Sequence, residues 1–531
     1  MSKEADISIP ERIELNQLEN AWPFYHRNEL ALGKIDSPLA IATLWTQRQG
    51  LEKILGKEEY SAIGQCFSAR GVSLILRELL ANPNIRTLVT WGRDSTGTGE
   101  QIKTFFETGI NADYTLPGFE PIMIHEEIPM GEISLLRKNV RHLDLRGSVE
   151  AHDYKTAAEI IKNIPHNSQP WRNYGMRYPL TITKSRKNPG EIIGYQTRGT
   201  TVEETWLDIL DTILRFGKVK EIPGEDSKLD IPGLTAIVTG DEDYTKMSNP
   251  NIFKYIPDFE NGVKKYVDQF TSPEHIEEIA YHYGEELFAH DTRKGKINQI
   301  QYIIKKLSSN IHSGRAFASS WNVGRHMEAP EGPCLVDVQF STVQDEASKY
   351  KLVLMSHFKT HDMFSAWPSN VFGLRELQKL VLRELRTPFN EKNLSLDLGP
   401  LTTVSGSAHI YGGQVENAQK TLQEFPLSEN RNYDLSGRLN QDPRGNYTFR
   451  LEGNKVIIDH YNHNTGEIIE TEKFSSRAKA EKWMAEKRTS DPLHTIYVGR
   501  ELANIFTYRE LRDKGINVEY HQDRGIVFPK D

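Results

Sequence analysis

Cysteine is almost missing from this chain: Cys66 and Cys334 are the two thiols in 531 residues. So few exclude a disulfide framework, and their separation leaves no CxxC pair for zinc or redox chemistry. Long apolar runs are missing as well, since no stretch approaches the ~20 residues a membrane helix needs. The opening Met1 to Asp6 carries no apolar signal core. Positive charge is not in excess: 65 Lys and Arg stand against 73 Asp and Glu, for a net charge of -8. That balance argues against bulk nucleic-acid binding, although a local basic pocket stays open. Solenoid repeats and low-complexity tracts are absent too. What is left has 37% hydrophobic and 26% charged residues, the make-up of a globular protein. Its length predicts two to four domains, and the expected compartment is the reducing cytoplasm, away from membranes.

The chemistry concentrates between Ser313 and Tyr411. Gly332-Pro333-Cys334 leads into Leu335 to Phe340, where Val336, Val338 and Phe340 alternate with Leu335, Asp337 and Gln339. That period of two predicts a strand. A second strand-like run, Lys351 to Phe358, enters Lys359-Thr360-His361-Asp362-Met363-Phe364-Ser365-Ala366-Trp367-Pro368-Ser369-Asn370. Upstream stands Ser319-Ser320-Trp321-Asn322-Val323-Gly324, and downstream Gly406-Ser407-Ala408-His409-Ile410-Tyr411. A lone cysteine after proline is by itself a small buried hydrophobe. Among Arg, Lys, Asp, Asn, His and Tyr, it reads instead as a nucleophile facing a polar, anionic ligand.

Around this stretch the chain divides. Residues 1–35 read as a polar lead-in. Ser37-Pro38 opens a helical pattern through Gly56, a second helix spans Val72 to Ala81, and Thr87 to Trp91 is a strand. The loop Gly92 to Gly99 then enters a helix at Glu100. It offers an anion-cradling turn or a plain strand-to-helix connection, and it is not a Walker A because no Lys-Ser/Thr follows. Tyr178 to Thr183 reads as a strand, and 202–217 as an amphipathic helix with Trp206, Ile209, Leu210, Ile213 and Leu214 on one face. Glu203 and Glu204 in its first turn complement the helix dipole. A long helix after Ser272-Pro273 carries Tyr281-His282-Tyr283-Gly284, Ile297 to Leu307 is another, and Leu374, Leu377, Val381 and Leu385 mark a buried helix face. Beyond Asn440 to Gly445, a turn-rich boundary, come strands near Tyr447–Leu451 and Lys455–His460, a helix Ser476–Lys487, and a last helix entered by His494 to Leu502. His460 and His463 suggest a metal, but no carboxylate or Cys cluster supports a site there.

Three resemblances follow. Asn82 to Arg86, Trp91-Gly92, Glu107 to Asp113 and Val140 to Leu145 resemble the soluble domain of the corrinoid-carrying A subunit of methanopterin methyltransferase. That likeness implies a Rossmann-like α/β module over 36–165. The last ninety residues (435–531) are similar to a small uncharacterised domain found fused to pterin-linked enzymes, implying a second small α/β domain. Arg315, Trp321-Asn322, Pro333-Cys334, Gln339-Phe340, Asp362, Pro368 to Asn370 and His409 to Tyr411 resemble the folate-dependent thymidylate synthases, most of all their archaeal branch. The Arg-His-rich signature of the flavin-dependent synthases is absent.

The last resemblance covers 170–427 and implies an α+β thymidylate synthase fold flanked by the two smaller α/β domains. It also implies the roles. Cys334 matches the thiolate that adds to uracil carbon 6. Arg315, Lys359 and Thr360 match phosphate contacts, Arg315 reaching across from the other subunit of a homodimer. Asn370 matches the residue reading the uracil edge, where aspartate goes with cytosine. His409 and Tyr411 match the ribose-hydroxyl pair, Asp362 the pterin contact, and Tyr283 the tyrosine that assists loss of the carbon 5 proton. Glu204, or failing it Glu203, fits the glutamate acting through water on the pyrimidine carbonyl. The implied substrates are dUMP and a reduced pterin, 5,10-methylene-tetrahydrofolate or methylene-tetrahydromethanopterin, with no metal. Three positions depart from the family: Lys359 and Gly314 replace arginines, and Leu335 a frequent histidine. A dUMP or dCMP hydroxymethylase, or a non-catalytic nucleotide-binding regulator, stay open as alternatives.

Overall fold

The computed structural model describes residues 9–67, 69–119, 122, 124–165, 169–178, 189–221, 227–240, 243–274, 281–293, 295–329, 332–427, 442–463 and 465–529. The chain forms two compact units, Met1–Leu427 and Ser428–Asp531. Among the described residues no helix is long and apolar enough to cross a membrane.

The first unit opens with a five-stranded sheet in the order Ala31–Leu32, Ala62–Gly64, Leu39–Ala42, Thr87–Thr90, Arg141–Asp144. All neighbours but the first pair run parallel. Leu39, Ile41 and Val89 enter one apolar cluster while Ala42 and Leu88 enter another. Alternate residues of each strand therefore meet different layers, and both faces are covered. This corrects the helix expected from Ser37-Pro38 to Gly56. A strand buried on both faces has no polar alternation to distinguish it from a buried helix; only Gln49–Glu52 is helical there.

The polar lead-in is corrected too. Glu11–Glu14 pairs antiparallel with Tyr174–Arg177, and Ile13, Leu18, Trp22 and Tyr25 are buried in the module. The strand expected at Tyr178 to Thr183 runs out of the described residues after Tyr178, and the observed strand precedes it. The Gly92–Gly99 loop connects strand and helix without an open anion cradle. Asp94 Oδ2 accepts from Glu100 N at 3.2 Å, and Arg146 bridges Asp94, Glu100 and Asp144. A phosphate would meet three carboxylates there.

The same unit contains a larger mixed sheet ordered Phe317–Ser319, Leu335–Glu346, Lys349–Phe358, Ser395–Tyr411, Lys228–Val238, Gln196–Gly199. Short strands His361–Asp362 and Lys218–Lys220 add to its long central members. The Trp367–Asn390 helix packs on the Lys349–Phe358 and Ser395–Tyr411 strands and against the Val202–Phe216, Phe259–Thr271 and Gln299–Ser309 helices. The expected Leu374, Leu377, Val381 and Leu385 face is wholly buried, as spacings of three and four require. The helix expected after Ser272-Pro273 crosses residues 275–280, which lie outside the description; Tyr283 instead begins the short Tyr283–Phe288 helix.

Arg375 ties this domain's layers together from within the core, at 1% exposure. Its guanidinium donates to Gly399 O at 2.9 Å, Gly240 O at 2.8 Å and Gln378 Oε1 at 2.7 Å. Arg375→Met would keep the stem and strand those buried acceptors. We expect a loss of about 3 kcal/mol, read as a lower urea midpoint with unchanged m-value.

The second unit is a three-stranded antiparallel sheet, Asn446–Glu452, Lys455–Tyr461 and Ile468–Phe474, covered by the helices Arg477–Lys487 and Pro492–Asp513. The turn at Asp442 is built by its carboxylate, which accepts from Arg444 N, Ser490 N and Asp491 N. His460 stacks on Tyr447, and its ring nitrogens meet Glu470 and Arg444 O.

Candidate active site

Cys334 stands at the head of the Leu335–Glu346 strand because Pro333 cannot donate to a ladder and so marks its start. The hairpin is pinned at that end by Lys359 N donating to Cys334 O at 2.9 Å. Space before the proline is tight. A Cβ at Gly332 would lie 3.0 Å from the Trp321 ring and 3.3 Å from His326 Cβ. Burial pushes the Cys334 thiol above the ordinary range. The Lys359 ammonium opposes this most, followed by a hydrogen bond with Tyr281 and the charge of Lys228, while Asp362 adds to the rise. Lys359 itself is exposed and rests 4.5 Å over the Trp321 ring, a cation on an aromatic face.

Behind the thiol lies a wall of tyrosines. Tyr283 OH accepts from Leu335 N at 3.4 Å, and its ring meets Tyr266, Phe270, Tyr281 and Phe358. Tyr266 OH donates to Asn370 Oδ1, while Asn370 Nδ2 lies 2.8 Å from His361 Nε2. His361 stacks on Phe358, and its Nδ1 lies 3.0 Å from Ser405 Oγ. Burial lowers the His361 pKa to about 3, so the ring is neutral. With Nδ1 protonated toward Ser405, Nε2 accepts from the amide, and Asn370 is held in one orientation. Each end of that amide retains one further hydrogen-bonding position.

On the other side, the Ser395–Tyr411 strand presents His409 and Tyr411, their rings 4.7 Å apart edge to face. His409 Nδ1 lies 3.5 Å from Thr360 Oγ1, and its carbonyl accepts from Met363 N. Asp362 Oδ1 accepts from Phe364 N and Ser365 N, fixing the turn between His361 and the long helix. The register sets Lys228 opposite Tyr411, with Nζ 4.9 Å over its ring.

Thus Cys334, Tyr283, Asn370, Lys359, Thr360, Asp362, His409 and Tyr411 occupy linked positions around one site. Arg315 does not join them through this chain's contacts: it is exposed ahead of the Phe317–Ser319 strand, its N–H donating to Ser313 Oγ. The two glutamates have separate settings. Glu204 is half-buried and accepts from Thr200 N at 2.7 Å. Glu203 is 2% exposed, and its Oε1 meets Ser248 Oγ and Asn249 N. Trp206, one turn on, donates to Met363 O at 2.7 Å and so ties this helix to the Asp362 turn. Sequence reasoning missed Tyr266, Tyr281, His361 and Lys228 as members of the site. Tyr281 and His361 lie inside quoted motifs, but Tyr266 and Lys228 come from distant segments that only pairing and packing bring here. Among the described residues, no group of three His, Cys, Asp or Glu is placed to hold a metal ion.

Fold and site together define an α+β protein with a partly buried thiol and an oriented carboxamide at one site. Residues 233–471 match the family model for thymidylate synthase, and residues 441–523 match that for PterinBD-DUF4346. A Methanosarcina mazei protein named "Putative thymidylate synthase" is 32% identical over 166 residues, 31% of this chain and 69% of that protein. One of the same name from Methanosarcina barkeri is 29% identical over 43% of this chain and 96% of its own length. The thymidylate synthase of Brachyspira hyodysenteriae is 28% identical over 33% of this chain and 60% of its own. This chain belongs to the thymidylate synthase family. Neither family match covers the N-terminal module.

Proposed function

We propose that this chain is a thymidylate synthase, converting dUMP to dTMP with a methylene-tetrahydropterin as donor of both carbon and hydride. The observation that carries the reading is Cys334 set beside a tyrosine wall, where Tyr283 OH accepts from the next residue's Leu335 N and Tyr266 holds the Asn370 amide in one orientation.

The chemistry follows from what uracil lacks. Its carbon 5 is a poor nucleophile until a thiolate adds to carbon 6 and pushes electron density into an enolate. The Asn370 amide complements the base edge on which that enolate develops. Carbon 5 then attacks the pterin's methylene group, and its proton is lost with help from the Tyr283 region. The pterin departs as amine, leaving an exocyclic methylene. Hydride from the reduced pterin ring completes the methyl group as the Cys334–carbon 6 bond breaks, so the pterin leaves oxidised to its dihydro level. Lys359 supplies positive charge for both thiolate and phosphate, without the two-pronged fork of an arginine. Of the two glutamates, Glu203 has the buried setting suited to a carboxylate working through water, and Glu204 is engaged with Thr200 N.

A homodimer accords with two features. Arg315 is exposed. The sheet face bearing Val353, Met355 and His357 alternates with the buried Leu352, Leu354 and Ser356 and is only partly buried.

Denaturing intact-mass spectrometry after incubation with 5-fluoro-dUMP tests the reading, with methylene-tetrahydrofolate and methylene-tetrahydromethanopterin in separate tubes. The expected product is an adduct of protein, nucleotide and pterin, because fluorine cannot leave as the carbon 5 proton does. An adduct with one carrier alone names the donor. Binding of dUMP without an adduct from either carrier overturns the synthase.

A further inference from the structure

Glu286 has no part in that chemistry, yet it is 1% exposed and lies three residues after Tyr283 on the same short helix. A buried carboxylate persists only when it is paired or hydrogen-bonded. Its Oε1 lies 3.0 Å from Arg325 Nη1 and 3.4 Å from His326 Nε2, and its Oε2 lies 3.4 Å from His290 Nδ1. Glu285, Asp291 and Lys296 also act on it, Lys296 being paired with Glu285 at 3.4 Å. Burial, opposed by Arg325 and Lys296 and helped by Glu285 and Asp291, pushes the Glu286 carboxyl up to about 7.

His326 has a defined tautomer. Its Nδ1 accepts from Asn322 N at 3.1 Å, so Nε2 carries the proton; it lies 3.4 Å from Glu286 Oε1 without forming a hydrogen bond. Burial lowers its pKa to about 4 and keeps the ring neutral. From His326 the contacts run straight to the nucleophile. Its ring lies 5.4 Å from that of Trp321, and Gly332 packs on both. Lys359 Nζ rests over Trp321, and Lys359 N holds Cys334 O. The same short helix grips the far side of the cysteine through Tyr283 and Leu335 N.

We propose that Glu286 is a positioning residue: by pinning Arg325, and through it the adjoining His326, it fixes the Trp321 wall, and so the place of the Lys359 ammonium beside Cys334. This rests on Cys334 being the nucleophile. Glu286 touches no substrate; it acts on thiolate formation through a cation whose side chain is exposed.

The test is the pH profile of Cys334 alkylation by iodoacetamide in the full chain, read by peptide mass so that Cys66 is scored separately. Glu286→Gln keeps the shape and removes the charge. The expected result is a midpoint about one pH unit higher, so alkylation below it is about tenfold slower. Trp321→Leu should give the same shift. The double variant should go no further than either single change, because both act along one path. An unshifted midpoint in Glu286→Gln overturns the proposal, whatever its melting temperature, as does a double variant whose shifts add. If Glu286→Gln does not fold, an unshifted Trp321→Leu overturns it instead. Alkylation needs neither nucleotide nor pterin, so the two readings fail separately. A trapped adduct with no midpoint shift refutes Glu286 alone, and a shift with no adduct refutes the synthase alone.

Discussion

Cys334→Ser is expected to lower kcat by at least about four orders of magnitude, the scale on which removing a covalent nucleophile acts. Serine keeps the volume and the hydrogen-bonding reach, so dUMP binding and the fold should survive. A serine hydroxyl ionises far less readily than a thiol, so the variant offers almost no anion to add to carbon 6. The measurement is steady-state turnover with dUMP binding followed in parallel; a serine variant within tenfold of wild type would sink covalent catalysis at this residue. The environment also sets a pH signature. Burial raises the thiol above its ordinary value, so the native state holds that proton more tightly than the unfolded chain. The resulting stability is complete below about pH 8.5, the ordinary thiol value, and is lost as pH rises through the raised one. Cys334→Ser should therefore lose less stability than wild type at alkaline pH.

The path from sequence to this site was clear wherever local pattern and tertiary role coincide. From Val338 the strand after Cys334 alternates because one face of the sheet is buried, while a bulge between Leu335 and Asp337 buries Leu335 and leaves Val336 half-buried; the Val202–Phe216 helix shows its apolar stripe because only one side packs. The same rule explains the failures. Leu39–Ala42 is covered on both faces, which erases the alternation and makes a buried strand look like helix. The lead-in looked detached because Ile13, Leu18, Trp22 and Tyr25 are spaced irregularly, each filling a separate gap in the module. At the site, the motif residues stood out through their resemblance to a known family, and the structure brings most of them together. Tyr266 did not stand out: an aromatic on an amphipathic helix reads as core, and only its hydroxyl's reach to Asn370 distinguishes it. Glu286 had no signal either, since a carboxylate in the first turn of a helix is ordinary until its burial is known.

Asn370→Asp should transfer preference from uracil toward cytosine, and its physical consequences can be worked out group by group. Tyr266 donates to Oδ1, and a carboxylate oxygen accepts that bond equally well. The other end changes. His361 Nε2 receives a hydrogen from the amide, and an ionised aspartate has none to give. The ring can respond by moving its proton to Nε2 and accepting at Nδ1 from Ser405 Oγ, a partner already 3.0 Å away. That switch lets the fold persist. The neighbouring negative charge would also lift His361 from its depressed value of about 3. What the variant cannot do is donate to the uracil carbonyl. An unpaired or repelled polar group in a buried site costs enough to reject a substrate by roughly 10²- to 10⁴-fold, whereas the amino group of cytosine offers the carboxylate a donor. The expected result is a fall of that size in kcat/KM for dUMP, a rise for dCMP, and a nearly unchanged melting temperature. Undiminished dUMP turnover by Asn370→Asp would place the base edge elsewhere, and with it the role of the Tyr266–Asn370–His361 network.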